Sequence, residues 1–237
     1  MHFARELWHW QTLLWVLVAL SVVVLLKHHY SIATAADLDW MLRPLSLLLE
    51  WSSGHAFHKD SNHEWVSENA DVRLVKACAG INFMIMSFMA YAWILRPDQR
   101  KDTGLLSRLA GGMLLLCAAV IAAWTTSLLA NSLRISVAMA VSSHNAELHR
   151  LIGMLIYVPL LSFQLALGNR SGARDILAGP VLMYVLLMVV VPLLTGNAFQ
   201  HPALFVEHLL YVSAMTAVMG GVYFLCCHRL PIFQRSP

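Results

Sequence analysis

The segment AGGMLLLCAAVIAAWTTSLLA, residues 110–130, carries no charged side chain and decides the fold. An uncharged run of about 20 residues crosses a bilayer as a helix, because hydrocarbon offers no partners for unpaired backbone groups. Hydrophobic residues make up 59% of the 237 positions and charged residues 12%, compared with roughly 25% charged in a soluble domain. The sequence therefore predicts an integral membrane protein.

Working outward from this segment, the same composition recurs along the chain and predicts about six spanning helices. The predicted spans are residues 7–26, 77–95, 110–130, 151–167, 176–194 and 209–227. The apolar segment 38–49 carries Asp39 and Arg43 and ends before Glu50-Trp51, so we expect an interfacial or re-entrant helix there. The predicted fold is an all-α, polytopic transmembrane helical bundle, with residues 1–237 as a single membrane domain and residues 27–76 as its outer loop.

The basic residues predict the orientation, because cytoplasmic loops retain Lys and Arg. The loop at 96–108, the loop around 170–174 and the C-terminal tail carry arginines, whereas residues 195–208 contain no Lys or Arg. The segment Ala33-Thr34-Ala35 resembles a signal-peptide cleavage site, but Lys27-His28-His29 separates it from the apolar run, so an uncleaved anchor is expected. This orientation predicts that the starts of the second and fourth spans and the end of the third face outward.

One thiol lies at that outer end, in the motif Lys76-Ala77-Cys78-Ala79-Gly80. The start of a helix favours a negative charge, Lys76 adds a positive charge, and Gly80 would admit a close backbone approach. The thiolate is the attacking form of cysteine, so Cys78 is a candidate nucleophile. The alternative is that Cys78 is a small apolar packing residue.

Two further ionisable residues reach the same end. Arg134, in Asn131-Ser132-Leu133-Arg134, could hold a thiolate or stabilise an oxyanion, with Asn131 orienting it. His149, at the entrance of the fourth span, could act as general base and then general acid, and His144 is a competing candidate. The alternatives are a snorkelling arginine and an interfacial histidine. The candidate catalytic face is thus formed around residues 76–80, 131–134 and 144–153.

These motifs resemble the cysteine, arginine and histidine motifs of the exosortase/archaeosortase family, and exosortase K is the closest branch. The matching stretches are KACAGINF at 76–83, NSLR at 131–134, and His149 followed by Gly153. The resemblance runs from about residue 38 to about residue 153, and the later spans match only in being apolar. It implies that Cys78 is the nucleophile, Arg134 the essential arginine and His149 the third site residue.

The resemblance also implies a reaction. Members of the family are proposed to cleave C-terminal sorting signals, each with a transmembrane helix, from exported proteins at the outer face of the bacterial cytoplasmic (inner) membrane. The expected partners are such substrate proteins, membrane lipid, and an amine acceptor on a lipid or surface polymer. Attack by the thiolate would give an acyl-enzyme that the amine resolves, whereas water as acceptor would make the protein a protease.

Other interpretations stay open. The outer loop contains His55, His58, His63 and Glu64, whose spacing could bind zinc or copper, although no metal or other cofactor is expected. A small-solute transporter or membrane binding protein is the main alternative, but it would usually place charged residues near the bilayer midplane. Cys117 falls within a span and Cys226-Cys227 at the cytoplasmic end, where packing or acylation is expected. No basic patch suggests nucleic-acid binding.

Overall fold

The computed structural model describes residues 2–69, 71–96, 105–141 and 146–167, together with scattered positions between 182 and 217. The chain divides into two compact units, Met1–Leu160 and Leu161–Pro237. The described residues are mostly helical, as the sequence predicts. The five α-helices are α1 (His2–Ile32), α2 (Asp39–Ser53), α3 (Ile81–Ile94), α4 (Leu105–Ala140) and α5 (Ala146–Leu167).

Three helical segments in the described part of the chain are long and apolar enough to cross a membrane. They are Leu13–Ile32, Lys76–Ile94 and Leu109–Ala140. Each overlaps one of the first three predicted spans, and the apolar helix Leu151–Leu167 coincides with the fourth. In the second unit the described residues include the end of α5 and a short π-helical segment, Leu186–Val190. The predicted spans at 176–194 and 209–227 lie largely outside the described residues.

Helix α4 is longer than the apolar segment that predicts it. It continues for 10 residues past residue 130, to Ala140, which is about 15 Å at 1.5 Å per residue. Asn131 and Arg134 therefore lie within the helix and not beyond its end. This corrects the expected helix boundary: the charge of Arg134 ends the apolar composition, but nothing in residues 131–140 stops a helix, because Pro and Gly are absent there.

Two long-range hydrogen bonds join α1 to α3. The indole nitrogen of Trp15 donates to the carbonyl of Ala92 at 3.0 Å, and Lys27 Nζ donates to Asn82 Oδ1 at 2.8 Å. Since the later residue of α1 bonds to the earlier residue of α3, the two helices run antiparallel. Helix α1 also continues beyond its predicted end through Lys27-His28-His29 to Ile32. The Lys27 side chain is thus held by the neighbouring helix.

The outer loop contains a small sheet that the sequence did not predict. Strands β1 (His58–Lys59), β2 (Trp65–Ser67) and β3 (Val72–Leu74) form an antiparallel sheet in the order β1-β2-β3. His58 pairs with Val66, and Trp65 pairs with Leu74. The strands have only two or three residues each, too few for an alternating pattern to be recognised. The expected purely helical class therefore needs this correction.

The sheet is fastened to α2 through one carboxylate. Asp39 Oδ1 accepts a hydrogen bond from Trp65 Nε1 at 2.9 Å and forms an ion pair with Lys59 Nζ at 3.1 Å. At the other end of α2, Glu50 Oε1 accepts from the main-chain N–H of Phe57 at 2.7 Å. Leu74, the last residue of β3, is fully buried. Because β3 leads directly into the segment that carries Cys78, this packing helps to fix the position of that segment.

Candidate functional site

Cys78 lies in a separate 3-10 turn, Lys76–Ala79, that precedes α3. Its main-chain N–H donates to the carbonyl of Val75 at 2.8 Å, and its side chain is half-buried as a free thiol. Gly80 follows with a φ of 69°, and α3 begins at Ile81. The sequence placed Cys78 in the first turn of the spanning helix, whereas the positive φ of Gly80 separates the thiol from α3.

Asn131 on α4 holds this turn from the opposite side. Its side-chain Nδ2 donates a hydrogen bond to the main-chain carbonyl of Cys78, and Asn131 is only 1% exposed. One turn earlier on α4, Ser127 Oγ donates to the carbonyl of Gly80 at 3.1 Å. Residues four apart share a helix face, so one face of α4 binds the carbonyl groups of Cys78 and of Gly80, two residues later.

Gly80 leaves room for this contact with α4, and the expected approach of a substrate backbone stays a prediction. A Cβ at Gly80 would lie 3.1 Å from Asn131 Nδ2 and 3.2 Å from Ser127 Oγ, which is tighter than ordinary van der Waals contact. The backbone also adopts the left-handed conformation that side chains disfavour. The group that comes close to Gly80 therefore belongs to the protein itself.

Tyr157 on α5 forms a second hydrogen bond with the Asn131 side chain. Its hydroxyl donates to Asn131 Oδ1 at 2.9 Å, so the Asn131 amide bridges a tyrosine of α5 and the turn that carries Cys78. The Tyr157 ring stacks on Phe83 of α3, with centroids 4.2 Å apart and planes 16° from parallel. None of the sequence motifs singles out Tyr157. The one signal in the sequence is that Tyr157 lies four residues after Gly153, the last residue of the matched motif.

Arg134 lies close to Tyr157, on the next turn of α4 after Asn131. Its Cζ is 5.6 Å from the centroid of the Tyr157 ring, a distance suited to a cation–π contact. A Cβ at Gly153 would be 3.3 Å from Arg134 Cδ, so α5 passes closely over the arginine side chain. The absence of a side chain at Gly153 leaves room for the guanidinium group.

The charge of Arg134 is not neutralised by a described carboxylate. Arg134 Nε is buried and finds no hydrogen-bond partner among the described residues, and no described Asp or Glu forms an ion pair with the group. Arg134 follows Asn131, which binds the carbonyl of Cys78, by one helical turn. Because the described residues supply no carboxylate for this half-buried cation, an anion that forms beside it would be stabilised.

Lys76, in the same turn as Cys78, also contacts α1. Its Nζ donates to the carbonyl of Ser31 at 3.1 Å and lies 5.1 Å from the centroid of the Tyr30 ring, both near the end of α1. These contacts join the 3-10 turn to α1. In the structure Lys76 therefore holds the turn that carries Cys78 against α1.

Tyr30 is a second aromatic residue that the sequence analysis missed. Its ring is approached by Lys27 Nζ at 5.8 Å from the centroid, in addition to Lys76. Through Lys76, Tyr30 contacts the turn that carries Cys78. No spacing rule connects Tyr30 to the site, because the contact is purely tertiary.

The third predicted site residue is only partly located. The backbone of His149 belongs to α5, one turn before Gly153, and its side chain lies outside the described residues. His144 also lies outside them. The structure thus brings together Cys78, Asn131 and Arg134. The proposed proton-transfer role of a histidine stays a prediction.

The histidines of the outer loop are not arranged as a metal site in the part of the chain that the structure describes. Among the described residues, no group of three or more His, Cys, Asp or Glu side chains is arranged to hold a metal ion. His58 Nε2 lies 4.0 Å from Glu68 Oε1, and Glu64 pairs with Arg73 at 3.1 Å. Cys117, the other free cysteine in the described part of the chain, is exposed on α4.

No protein-family model, curated protein or solved structure matches the chain. The chemistry of the site itself therefore has to support a function. A thiol is a nucleophile, a nearby guanidinium can stabilise negative charge, and the amide of Asn131 fixes the backbone that carries the thiol. This combination suits formation of a covalent acyl intermediate.

Proposed function

We propose that the protein is a membrane-embedded cysteine protease or transpeptidase that cleaves C-terminal sorting signals from exported proteins. The observation that carries the proposal is the placement of Arg134. This half-buried cation has no partner for its Nε among the described residues and follows Asn131, which binds the carbonyl of Cys78, by one turn of α4. A fixed positive charge of this kind stabilises charge that develops during acyl transfer.

The proposed reaction begins when the Cys78 thiol loses its proton to the imidazole of His149. The thiolate sulfur attacks the carbonyl carbon of the scissile amide, and the carbonyl oxygen becomes an oxyanion beside Arg134. The C–N bond then breaks, and the leaving nitrogen takes the proton from the imidazolium. The products of this half-reaction are the released C-terminal helix and a thioester on Cys78.

The second half-reaction resolves the thioester. An amine acceptor attacks the thioester carbonyl and gives its proton to the imidazole, after which the C–S bond breaks and returns the thiolate. The new bond is an amide, so the reaction is a transpeptidation and needs no oxidant or reductant. The acceptor amine would be carried by a lipid or a surface polymer, and water in its place would give simple hydrolysis.

The proposed setting is the outer face of a bacterial cytoplasmic membrane, with six spans and α2 as an interfacial or re-entrant helix. Helix α4 supports this arrangement. If residues 110–130 fill the hydrocarbon, Arg134 lies four residues further, or about 6 Å beyond it. An exported protein held by a C-terminal transmembrane helix would present the peptide bond next to that helix at this depth. Substrate helix and enzyme would then meet within the bilayer.

The first experiment compares cells that express the native protein with cells that express Cys78→Ala at equal membrane abundance. Mass spectrometry maps the C termini of exported proteins. We expect helical C-terminal tails to be retained on a defined set of proteins only in the mutant. Cys117→Ala is the matched control, because Cys117 is a free cysteine that lies exposed on α4, and it should leave processing intact.

A second measurement detects the intermediate itself. Purified protein in detergent is incubated with a tailed substrate found in the first experiment, and hydroxylamine is then added to cleave any thioester. Release of a hydroxamate at the new C terminus, in the native protein but not in Cys78→Ala, is expected. Identical C termini in all strains, with tailed proteins shown to be expressed, would remove the proposal and favour a transport or binding role.

A further inference from the structure

Helix α2 has two apolar faces, and only one of them is covered by the protein. Its buried face consists of Met41, Leu42, Leu45, Ser46 and Leu49. On the other side, a stripe of four residues is exposed at helical spacing: Trp40, Arg43, Leu47 and Trp51. Trp40 is 39%, Leu47 56% and Trp51 87% exposed. A helix facing water carries polar residues on its outer side, whereas three of these four exposed residues are apolar or aromatic.

The contacts of α2 place it at the level where the spanning helices end. Helix α1 ends at Ile32, and a short turn follows in which Asp37 Oδ2 accepts from Thr34 N at 2.8 Å and Thr34 Oγ1 at 2.7 Å. Lys76, at the start of the segment leading into α3, bonds to Ser31 near the end of α1. The two span ends therefore meet at one level, and α2 begins only a few residues away from it.

The second end of α2 reaches the extension of α4. Ser52 Oγ lies 3.5 Å from Ser136 Oγ, in the part of α4 beyond the apolar segment 110–130. The C-terminal end of α2 therefore lies at the part of α4 beyond its apolar segment, and its N-terminal end follows the end of α1 after a short turn.

We propose that the stripe formed by Trp40, Arg43, Leu47 and Trp51 binds the headgroup region of the bilayer leaflet at which α1 ends. Indole rings favour this region because they combine an apolar body with an N–H donor. Arg43 supplies a cation for lipid phosphate groups, and Leu47 supplies apolar area for the acyl boundary. The binding partner of this stripe is the lipid surface itself.

The length and charge of α2 argue against the other placements. With 15 residues, the helix is about 22 Å long, shorter than the roughly 30 Å hydrocarbon core. Asp39 of α2 is engaged with Trp65 and Lys59 of the folded outer loop, which excludes deep insertion of that end. The helix therefore lies along the membrane surface. This inference does not depend on the proposed chemistry of Cys78.

Spin-label accessibility tests the placement directly. Leu47→Cys is prepared in a background where Cys78, Cys117, Cys226 and Cys227 are replaced by Ser, and the labelled protein is reconstituted in phosphatidylethanolamine and phosphatidylglycerol vesicles. Two reference sites are labelled in the same background: Ile121→Cys, exposed in the middle of the apolar part of α4, and Asn62→Cys, exposed in the outer loop. Relaxation enhancement by oxygen reports lipid, and enhancement by a water-soluble nickel chelate reports water.

The expected result is an oxygen-to-nickel ratio at position 47 between those of positions 121 and 62. A ratio equal to that at position 121 would place the stripe in hydrocarbon and overturn the proposal. A ratio equal to that at position 62 would place it in water, and low accessibility to both reagents would show that protein covers it; either also overturns the proposal. Trp51→Cys, at the other end of the stripe, repeats the test if Leu47→Cys does not fold. Because the background lacks Cys78, the outcome is independent of catalysis.

Discussion

The side-chain amide of Asn131 donates a hydrogen bond to the main-chain carbonyl of Cys78. The main-chain positions of Cys78 and Arg134 are thereby linked, because Asn131 and Arg134 are one turn apart on α4. The other end of the Asn131 amide accepts from Tyr157, which includes α5 in the same arrangement. Three chain segments that are distant in sequence thus meet at one side chain.

Replacement of Asn131 by Ala should destabilise the protein and reduce processing of tailed substrates together. The change leaves the Cys78 carbonyl and the Tyr157 hydroxyl without their partner, at a cost of about 1–3 kcal/mol for a buried polar group. Thermal unfolding in detergent and the hydroxylamine assay would measure the two effects. The neighbouring substitution Ser132→Ala, also at a buried position, is the control. If Asn131→Ala had the same unfolding midpoint and the same activity as the native protein, the role of the amide would be contradicted.

Two substitutions at Tyr157 separate its hydroxyl from its ring. Tyr157→Phe loses the hydrogen bond to Asn131 but keeps the stack on Phe83 and the ring beneath Arg134, so a loss of about 1 kcal/mol is expected. Tyr157→Leu also loses the aromatic contacts and should be less stable by a further 0.5–1.5 kcal/mol or so. Unfolding midpoints of the two variants check the order. Equal midpoints would mean that the ring contacts contribute nothing.

Gly80→Ala and Gly54→Ala form a matched pair. Both glycines have a positive φ, 69° and 71°, so each substitution carries a backbone cost of about 1–2 kcal/mol. A Cβ at Gly54 would meet nothing within 4 Å, whereas at Gly80 it would meet Asn131 and Ser127. Gly80→Ala is therefore expected to lower the unfolding midpoint more than Gly54→Ala and to reduce activity. A similar effect of both changes would show that α4 moves away without cost.

Much of the helical part of this fold is predictable from composition alone. The uncharged segments at 77–95, 110–130 and 151–167 each coincide with a helix, since burial in hydrocarbon selects both the composition and the secondary structure. The extension of α4 to Ala140 is not visible in such a window, because hydropathy measures the apolar part of a helix and not its end. The three-stranded sheet is equally hidden, since its short strands depend on Asp39 and other tertiary partners.

The candidate site, like the fold, has a part that the sequence predicts and a part that only the structure shows. The convergence of Cys78 and Arg134 follows from the alternation of spans and could be predicted from their positions at span ends. The contacts of Lys76, Asn131 and Tyr157 could not, because each depends on which helix faces turn toward one another. Gly80 illustrates the difference. The sequence predicts a close approach at this glycine, but only the tertiary structure shows that Asn131 lies next to it.

Replacement of Arg134 by Lys keeps the charge but removes the planar group that lies over Tyr157. If the guanidinium stabilises the oxyanion, acyl-enzyme formation should fall on the order of 10²–10³-fold, as for loss of an oxyanion-hole donor. The rate of hydroxamate release from a tailed substrate measures this. Arg73→Lys, on a half-exposed arginine of the outer loop, is the control and should leave the rate unchanged. An unaltered rate in Arg134→Lys would assign a purely electrostatic or structural role to the residue.

Asp39 should make the attachment of the outer loop sensitive to acid. Burial raises the pKa of this carboxyl, but the hydrogen bonds from Trp65 and Lys59 outweigh burial, so that its pKa lies below the usual value. A carboxyl whose pKa is lower in the folded state contributes stability above its unfolded pKa of about 3.9, and that contribution is lost as the pH falls through the folded pKa. The unfolding midpoint of the native protein should therefore decrease on acidification below about pH 4.

In Asp39→Asn the ion pair to Lys59 is absent at every pH. Its midpoint at pH 7 should be lower than that of the native protein, and the gap should narrow as the native carboxyl becomes protonated. The exposed Asp71, replaced by Asn, is the control for a change of net charge alone. A gap that stays constant from pH 7 to pH 3 would show that the Asp39 carboxylate does not hold the sheet to α2. Because the sheet leads through Leu74 into the turn that carries Cys78, Asp39→Asn should also process less substrate than the native protein when the two are compared at pH 7.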